Sequence, residues 1–238
     1  LFLRHQQGQW QMEAPLESKT AKAAVELELG RVLDLEVQEF LSLQDHGLLG
    51  EISGRITLND PSSQEILLIG RKEGDFYFAK REGYSAVFRL KDPFLENLGT
   101  LADRLRDRQV LSFVPENLSR VSLAFGPQKL WLQRVENESG QPAAGWRLAS
   151  SAQSKSGTWP VDPAVMEHFL RSLGSLQIET FVDNAPTAPT LEAYGLRTPQ
   201  RIITLNDSNG QELSLSLGAF TPDCKSVYAC TNTAPYIY

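Results

Sequence analysis

Five consecutive residues occur twice in this chain: Ile56-Thr57-Leu58-Asn59-Asp60 returns unchanged as Ile203-Thr204-Leu205-Asn206-Asp207. Such a repeat constrains the fold strongly, because a self-similar chain builds one supersecondary unit more than once. The flanks extend it. His46-Gly47-Leu48 aligns with Tyr194-Gly195-Leu196, Gln64-Glu65-Ile66 with Gln211-Glu212-Leu213, and Phe76-Tyr77-Phe78 with Val227-Tyr228-Ala229. The apolar stretches between end at Gly70 and Gly218. Further upstream, Trp10 aligns with Trp146, Val25 with Val165, Leu29 with Phe169 and Leu33 with Leu173, and Leu1-Phe2-Leu3-Arg4 aligns with Leu130-Trp131-Leu132-Gln133. The order is constant, and the spacing drifts because the connecting loops differ in length.

Local patterns give each copy its elements. Leu130-Trp131-Leu132 and Gly145-Trp146-Arg147-Leu148 alternate around a Gly/Pro/Asn-rich turn, the signature of a hairpin. Asp162-Pro163 reads as an N-cap followed by a first-turn proline, and Val165, Phe169, Leu173 and Leu176 then fall on one helical face. In the first copy, Val25, Leu27 and Leu29 fit a strand while Val25, Leu29, Val32 and Leu33 fit a helix; the alignment and Ala21, Ala23 and Ala24 favour the helix. Strands are expected at 37–41 and 178–182, and then in meanders over 55–58, 75–80 and 85–90, and over 201–205, 213–217, 226–231 and 235–238. Asn59-Asp60-Pro61-Ser62 and Asn206-Asp207-Ser208-Asn209-Gly210 supply turns. The segment 184–190, with two prolines, reads as irregular loop. Phe94, Leu98, Leu101 and Leu105 predict one amphipathic helix joining the copies, its end a solvated, charge-balanced run of Asp103, Arg104, Arg106, Asp107 and Arg108.

The fold class expected is therefore α+β: tandem repeated modules, each a mostly antiparallel meander sheet with one or two packed helices. The first module, with its connecting helix, covers 1–108; the second covers 109–238 and reads as incomplete at its C-terminal end. Both termini look like the middle of strands, which points to a fragment of a longer chain, so a leader or membrane anchor could precede Leu1.

Composition narrows the function. Lys plus Arg number 23 against 29 Asp plus Glu, a net charge of −6, so the chain lacks the basic balance of a nucleic-acid binder. Its 238 residues contain no apolar run of membrane-spanning length. Two cysteines are too few for a disulfide framework or a Cys-rich zinc module. Cys224 and Cys230 have two readings, a bridge tying a loop to the adjacent strand or two unpaired thiols; extended chain would hold them too far apart to bridge.

Catalytic signatures are absent. His5, His46 and His168 are scattered, with no second ligand at metal spacing. No nucleophile elbow, phosphate-binding loop or zincin motif occurs. Asp207-Ser208-Asn209-Gly210 resembles a calcium loop but lacks its closing Glu. No cofactor is indicated. Trp10, Trp131 and Trp146 read as packing residues, whereas Trp159, without a counterpart in the first copy and set in Gly157-Thr158-Trp159-Pro160, is the candidate binding residue.

The ordered set of Trp-containing hairpin, helix, Tyr194-Gly195-Leu196-Arg197-Thr198-Pro199, Ile-Thr-Leu strand, turn, apolar strand ending in Gly, and Val-Tyr-Ala strand resembles the bacterial family called domain of unknown function 4340. The resemblance covers one copy and most of a second. It implies an extracytoplasmic protein of the cell envelope, anchored to the membrane outside this sequence, with a non-catalytic accessory role, in some members beside gliding-type ABC transporter subunits. It brings no catalytic residues. The first copy departs from the pattern, with His46 for Tyr194 and Gly50-Glu51-Ile52-Ser53 in place of the later proline. The expected function is an interaction module with an envelope protein partner. The alternatives are a glycan or small-ligand binder using Trp159 and the 184–190 loop, and an enzyme with a cleft between the modules.

Overall fold

The computed structural model describes residues 1–41, 47–136, 142–149, 159–234 and 236–238. The chain divides into two compact units, Leu1–Asp107 and Arg108–Tyr238. Both are built of antiparallel sheets with a few helices, an α+β architecture.

The first unit opens with three antiparallel strands, β1 (Phe2–Gln6), β2 (Gln9–Ala14) and β3 (Ser18–Lys19), in that order across their sheet. Gln7 and Gly8 both take positive φ, 51° and 79°, as a two-residue hairpin turn following the strand twist requires. Helix α1 (Lys22–Leu33) follows, so the helical reading of this ambiguous segment holds. Strands β4 (Val37–Phe40), β5 (Gly54–Asn59), β6 (Gln64–Glu73), β7 (Phe76–Arg81) and β8 (Val87–Leu90) form a second sheet in the order β4-β8-β7-β6-β5. Met12, Val25, Ile69, Ala79, Leu90, Phe94, Leu101 and Leu105 share one buried cluster, against which Leu3, Trp10 and Ile56 pack.

The single helix expected over 94–105 is broken. Two short helices, α2 (Pro93–Glu96) and α3 (Leu101–Leu105), flank a 3₁₀ turn at Leu98–Thr100. Phe94, Leu101 and Leu105 are nevertheless buried. The arginine run is not a solvated helix end either. After Leu105 the chain becomes extended: Thr20 bridges Arg106 and the Asp107 amide donates to the Lys19 carbonyl. Arg106 is 1 % exposed, and Arg104 turns back to Glu28 at 3.0 Å.

In the second unit, a 3₁₀ turn at Pro115–Asn117 leads into β9 (Leu118–Phe125), β10 (Gln128–Glu136), β11 (Pro142–Ala149) and β12 (Trp159–Pro160). Helices α4 (Pro163–Gly174) and α5 (Ala188–Ala193) precede β13 (Arg201–Asp207), β14 (Glu212–Phe220) and β15 (Val227–Thr231). One seven-stranded sheet runs β12-β11-β10-β9-β13-β14-β15, with β9 paired to both β10 and β13. Its core joins Val121, Leu132, Trp146, Leu205 and Leu215 to Met166, Leu170 and Leu173 of α4.

Several sequence expectations require correction here. Helix α4 starts at Asp162 as read, the carboxylate accepting from the Ala164 amide at 2.8 Å, but its buried face is Met166, Leu170 and Leu173. Val165 is 63 % exposed and Leu176 lies beyond the helix; in α1, Leu33 is 72 % exposed. Residues 178–182 form no strand: the Ile178 amide bonds Arg108 and the Val182 amide bonds Ile237, two different partners, flanked by isolated bridges at Gln177 and Asp183. The C-terminal strand shrinks to that Asp183–Ile237 bridge and reciprocal bonds between Tyr238 and Ala229. The segment 184–190 is only partly irregular. Thr187 caps α5 through a capping box, and Pro189 occupies a first-turn position where its lack of an N–H costs nothing.

Candidate functional site

The candidate features are the edges of the sheets, one exposed indole and one buried charge cluster. Strand β5 is an edge strand paired to β6 without a register break over all six residues. The Glu82 amide donates to the Ile66 carbonyl at 2.9 Å, so the peptide groups of Ile66 face β7. Thr57, opposite Ile66, must then turn its own N–H and C=O toward the open edge, because residue pairs in an antiparallel ladder alternate between bonded and unbonded. The same logic applies to β1, one of the two edge strands of the smaller sheet. Thr20 Oγ1 donates to the Trp10 carbonyl at 2.6 Å, so His5, opposite Trp10, faces its peptide groups outward.

Trp159 is 65 % exposed. It lies in strand β12, opposite Leu148, rather than in a loop; residues 157 and 158 lie outside the described residues. Trp146 is buried beneath the Arg134 guanidinium, 4.9 Å from the ring, and burial lowers the pKa of Arg134 from its ordinary value. Trp10 carries His5 across the hairpin at 4.7 Å.

Glu28, on α1, is buried and accepts from both Arg31 and Arg104 at 3.0 Å on one oxygen. Arg31 and Arg104 also line an open cleft of about 370 Å³ with Asp92, Pro93, Phe94 and Asn97. The Asp92 carboxylate is already engaged, accepting from the Phe94 amide at 2.7 Å as the cap of α2. Sequence reading did not single out Glu28, whose place on a helix gives it no motif.

The turn carboxylates are likewise engaged within their own turns. Asp60 accepts from the hydroxyls and amides of Ser62 and Ser63, which hold its carboxyl well below the usual carboxylate range. Asp207 accepts from the Asn209 and Gln211 amides, so the Asp207–Gly210 segment is a hairpin turn. The described residues contain no group of three or more His, Cys, Asp or Glu placed to hold a metal ion. His5 and His168 are exposed in separate units, and His46 lies outside the described residues.

Cys224 and Cys230 are both free thiols in this structure. Cys224 is exposed in a turn with φ 58°, while Cys230 lies within β15 opposite Ser216, where burial pushes its thiol pKa up.

The family model for a domain of unknown function (DUF4340) matches residues 10–190 and again 146–238. The chain belongs to this family. No curated protein and no solved structure matches it. No described helix is long and apolar enough to cross a membrane.

Proposed function

We propose that the chain is two copies of one α+β module and serves as a non-catalytic interaction module in the cell envelope, accessory to a membrane protein complex such as an ABC-type transporter. The duplication is supported by strand registers. Ile56 pairs with Leu67, and Ile203 with Leu215. Ile69 pairs with Ala79, the ladder slips, and pairing resumes at Lys72 with Tyr77; Leu217 pairs with Ala229, slips, and resumes at Phe220 with Val227. Each slip contains a glycine pressed against a carbonyl. A β-carbon on Gly70 would stand 1.9 Å from Leu49 O, and one on Gly218 would stand 2.1 Å from Tyr194 O. Each of those carbonyls precedes a glycine of positive φ, Gly50 at 65° and Gly195 at 69°. Gly195 therefore corresponds to Gly50, not to Gly47.

The hairpins agree as well. His5 faces Trp10 and Arg134 faces Trp146; one residue on, Gln11 faces Lys19 and Arg147 faces Pro160. The helices begin three residues after Lys19 and Pro160, which aligns Val25 with Met166, both buried, rather than with exposed Val165. The overlap of the two family matches favours the same organisation.

The interaction reading rests on one observation, the regular edge of β5, left unpaired on one side by the described residues. Edge strands are usually blunted by proline, bulges or inward charges, and β5, with the sequence Gly-Arg-Ile-Thr-Leu-Asn, carries no proline and no bulge. The envelope location is carried by the family resemblance. Crosslinking in native envelopes followed by reconstitution with the purified partner tests this reading: one recurrent partner that binds stoichiometrically is expected, and the absence of any recurrent partner would overturn it. A second reading, ligand stacking on Trp159, is favoured by that ring's exposure; a glycan that raises the melting midpoint of the wild type but not of Trp159→Ala would support it.

A further inference from the structure

We propose that the cleft between α1 and the α2–α3 segment binds a small organic monoacid, its carboxylate held by Arg31 and Arg104 and its apolar body resting on Pro93 and Phe94. The cleft lies wholly within the first unit and is built from the middle of that unit's sequence.

Glu28 sets the two guanidinium groups side by side. Its Oε1 accepts from Nη1 of Arg31 and from Nη1 of Arg104, each at 3.0 Å. Glu28 is only 7 % exposed. Burying a carboxylate costs stability even when it is paired, and an apolar residue of similar size often serves the fold as well or better. The second unit shows that alternative. In the register that aligns Val25 with Met166, Glu28 corresponds to Phe169, which packs on the core, and Arg31 corresponds to Ser172. The module therefore does not need a charge at this place, and the cluster is an addition peculiar to the first unit.

The arginines keep donors in hand. A guanidinium carries five N–H groups in a planar fork. Arg31 is half-exposed at the cleft, and Glu28 is its one hydrogen-bond partner among the described residues. Arg104 reaches the Asn97 carbonyl only at 3.5 Å, and its buried Nε has no partner among the described residues. A carboxylate is the group that satisfies such forks with short, parallel, charge-assisted bonds. Charge sets the valence. Two guanidinium groups against the Glu28 carboxylate leave a single positive charge, which matches a monoanion. The Asp92 carboxylate, fixed as the cap of α2, also lines the cleft and opposes a dianion. Asn97 donates its Nδ2 to the Pro93 carbonyl at 2.9 Å, which turns its Oδ1 into an acceptor for a ligand hydroxyl or amide.

The test is a titration of benzoate into the full chain at constant chloride, read on the Nε–H signals of ¹⁵N-labelled arginine. The Arg31 and Arg104 signals should shift together along one saturable curve. Arg31→Gln should weaken benzoate about tenfold or more, whereas Arg89→Gln, which removes an arginine paired to Glu39 elsewhere on the unit, should leave the affinity unchanged. Benzamide, the neutral counterpart, should give no saturable shift, a control independent of how any variant folds. Inorganic phosphate should bind more weakly than benzoate. The absence of a saturable shift at both arginines overturns the proposal, as does equal binding of benzamide, or a benzoate affinity that Arg31→Gln does not change. A lowered melting midpoint for Arg31→Gln without any benzoate shift in the wild type would make the cluster a structural clamp and equally overturn it. Phosphate binding as tightly as benzoate would overturn the assignment to a monoacid.

Discussion

The carbonyl oxygen of Tyr194 lies against Gly218, 2.1 Å from the point a β-carbon on Gly218 would occupy. The contact docks the end of α5 onto the middle of β14, and the Ala219 amide completes it by donating to the same oxygen at 2.9 Å. Gly218→Ala forces backbone against backbone, and an extra methyl group in a packed contact costs about 1–3 kcal/mol. Urea unfolding should show that loss for Gly218→Ala and for Gly70→Ala, with Gly99→Ala, whose added carbon meets nothing within 4 Å, as the mild control. A change below about 0.5 kcal/mol at Gly218, the range of ordinary surface substitutions, would contradict the contact.

Helix α1 begins at Ala21 without a side-chain cap and contains Gly30 in its interior, whereas α4 has Asp162. Asp162→Ala should cost about 1 kcal/mol. Ala21→Asp should stabilise by a similar amount, and Gly30→Ala, with open space around the new methyl group, by about 0.5–1 kcal/mol. Melting curves of the three variants check both signs.

Leu205→Ala removes a fully buried side chain and should cost about 2–5 kcal/mol, while Val165→Ala, on the exposed side of α4, should be within about 0.5 kcal/mol of wild type. The contrast separates the observed helix face from the one the four-residue spacing of Val165, Phe169 and Leu173 suggests.

Asp60 has a folded pKa held below its unfolded value by Ser62 and Ser63. Its contribution to stability is therefore fully present above the unfolded carboxylate pKa, about 3.9, and is lost as pH falls below that. Asp60→Asn should flatten the acid limb of the stability–pH curve and leave the region above about pH 5 parallel to wild type. A curve parallel throughout would show that the serine turn does not hold the carboxylate.

Thiol titration should find two free cysteines, Cys224 reacting fast and Cys230 slowly, because burial both shields the Cys230 sulfur and raises its pKa, reducing the thiolate that attacks. Finding no titratable thiol before reduction would mean that the bridge forms.

Legibility in the sequence followed local chemistry. Asp162-Pro163 announces α4, and the Asp60 and Asp207 turns announce their hairpins, because caps and turns are satisfied within a few residues. Register along helices was harder: valines at 25 and 165 look equivalent, yet Val25 packs into a core and Val165 faces solvent. Gly47 mimics Gly195 in sequence, but the backbone turns at Gly50. Strand β9 has no clear local signature although it pairs on both sides, since its Ser119-Arg120 start hides the alternation that begins at Val121. The edge groups of Thr57 and the burial of Arg106 depend on which strand lies alongside, and no local pattern encodes that.

Cross-strand backbone NOEs in a labelled sample test the duplicated architecture most directly. The account predicts contacts for Lys72–Tyr77 and Phe220–Val227 beyond the slips, and for Thr57–Ile66 and Thr204–Ser214 before them, with one common register in both units. A register displaced by one residue in either unit would place Gly70 and Gly218 at different structural positions and contradict it.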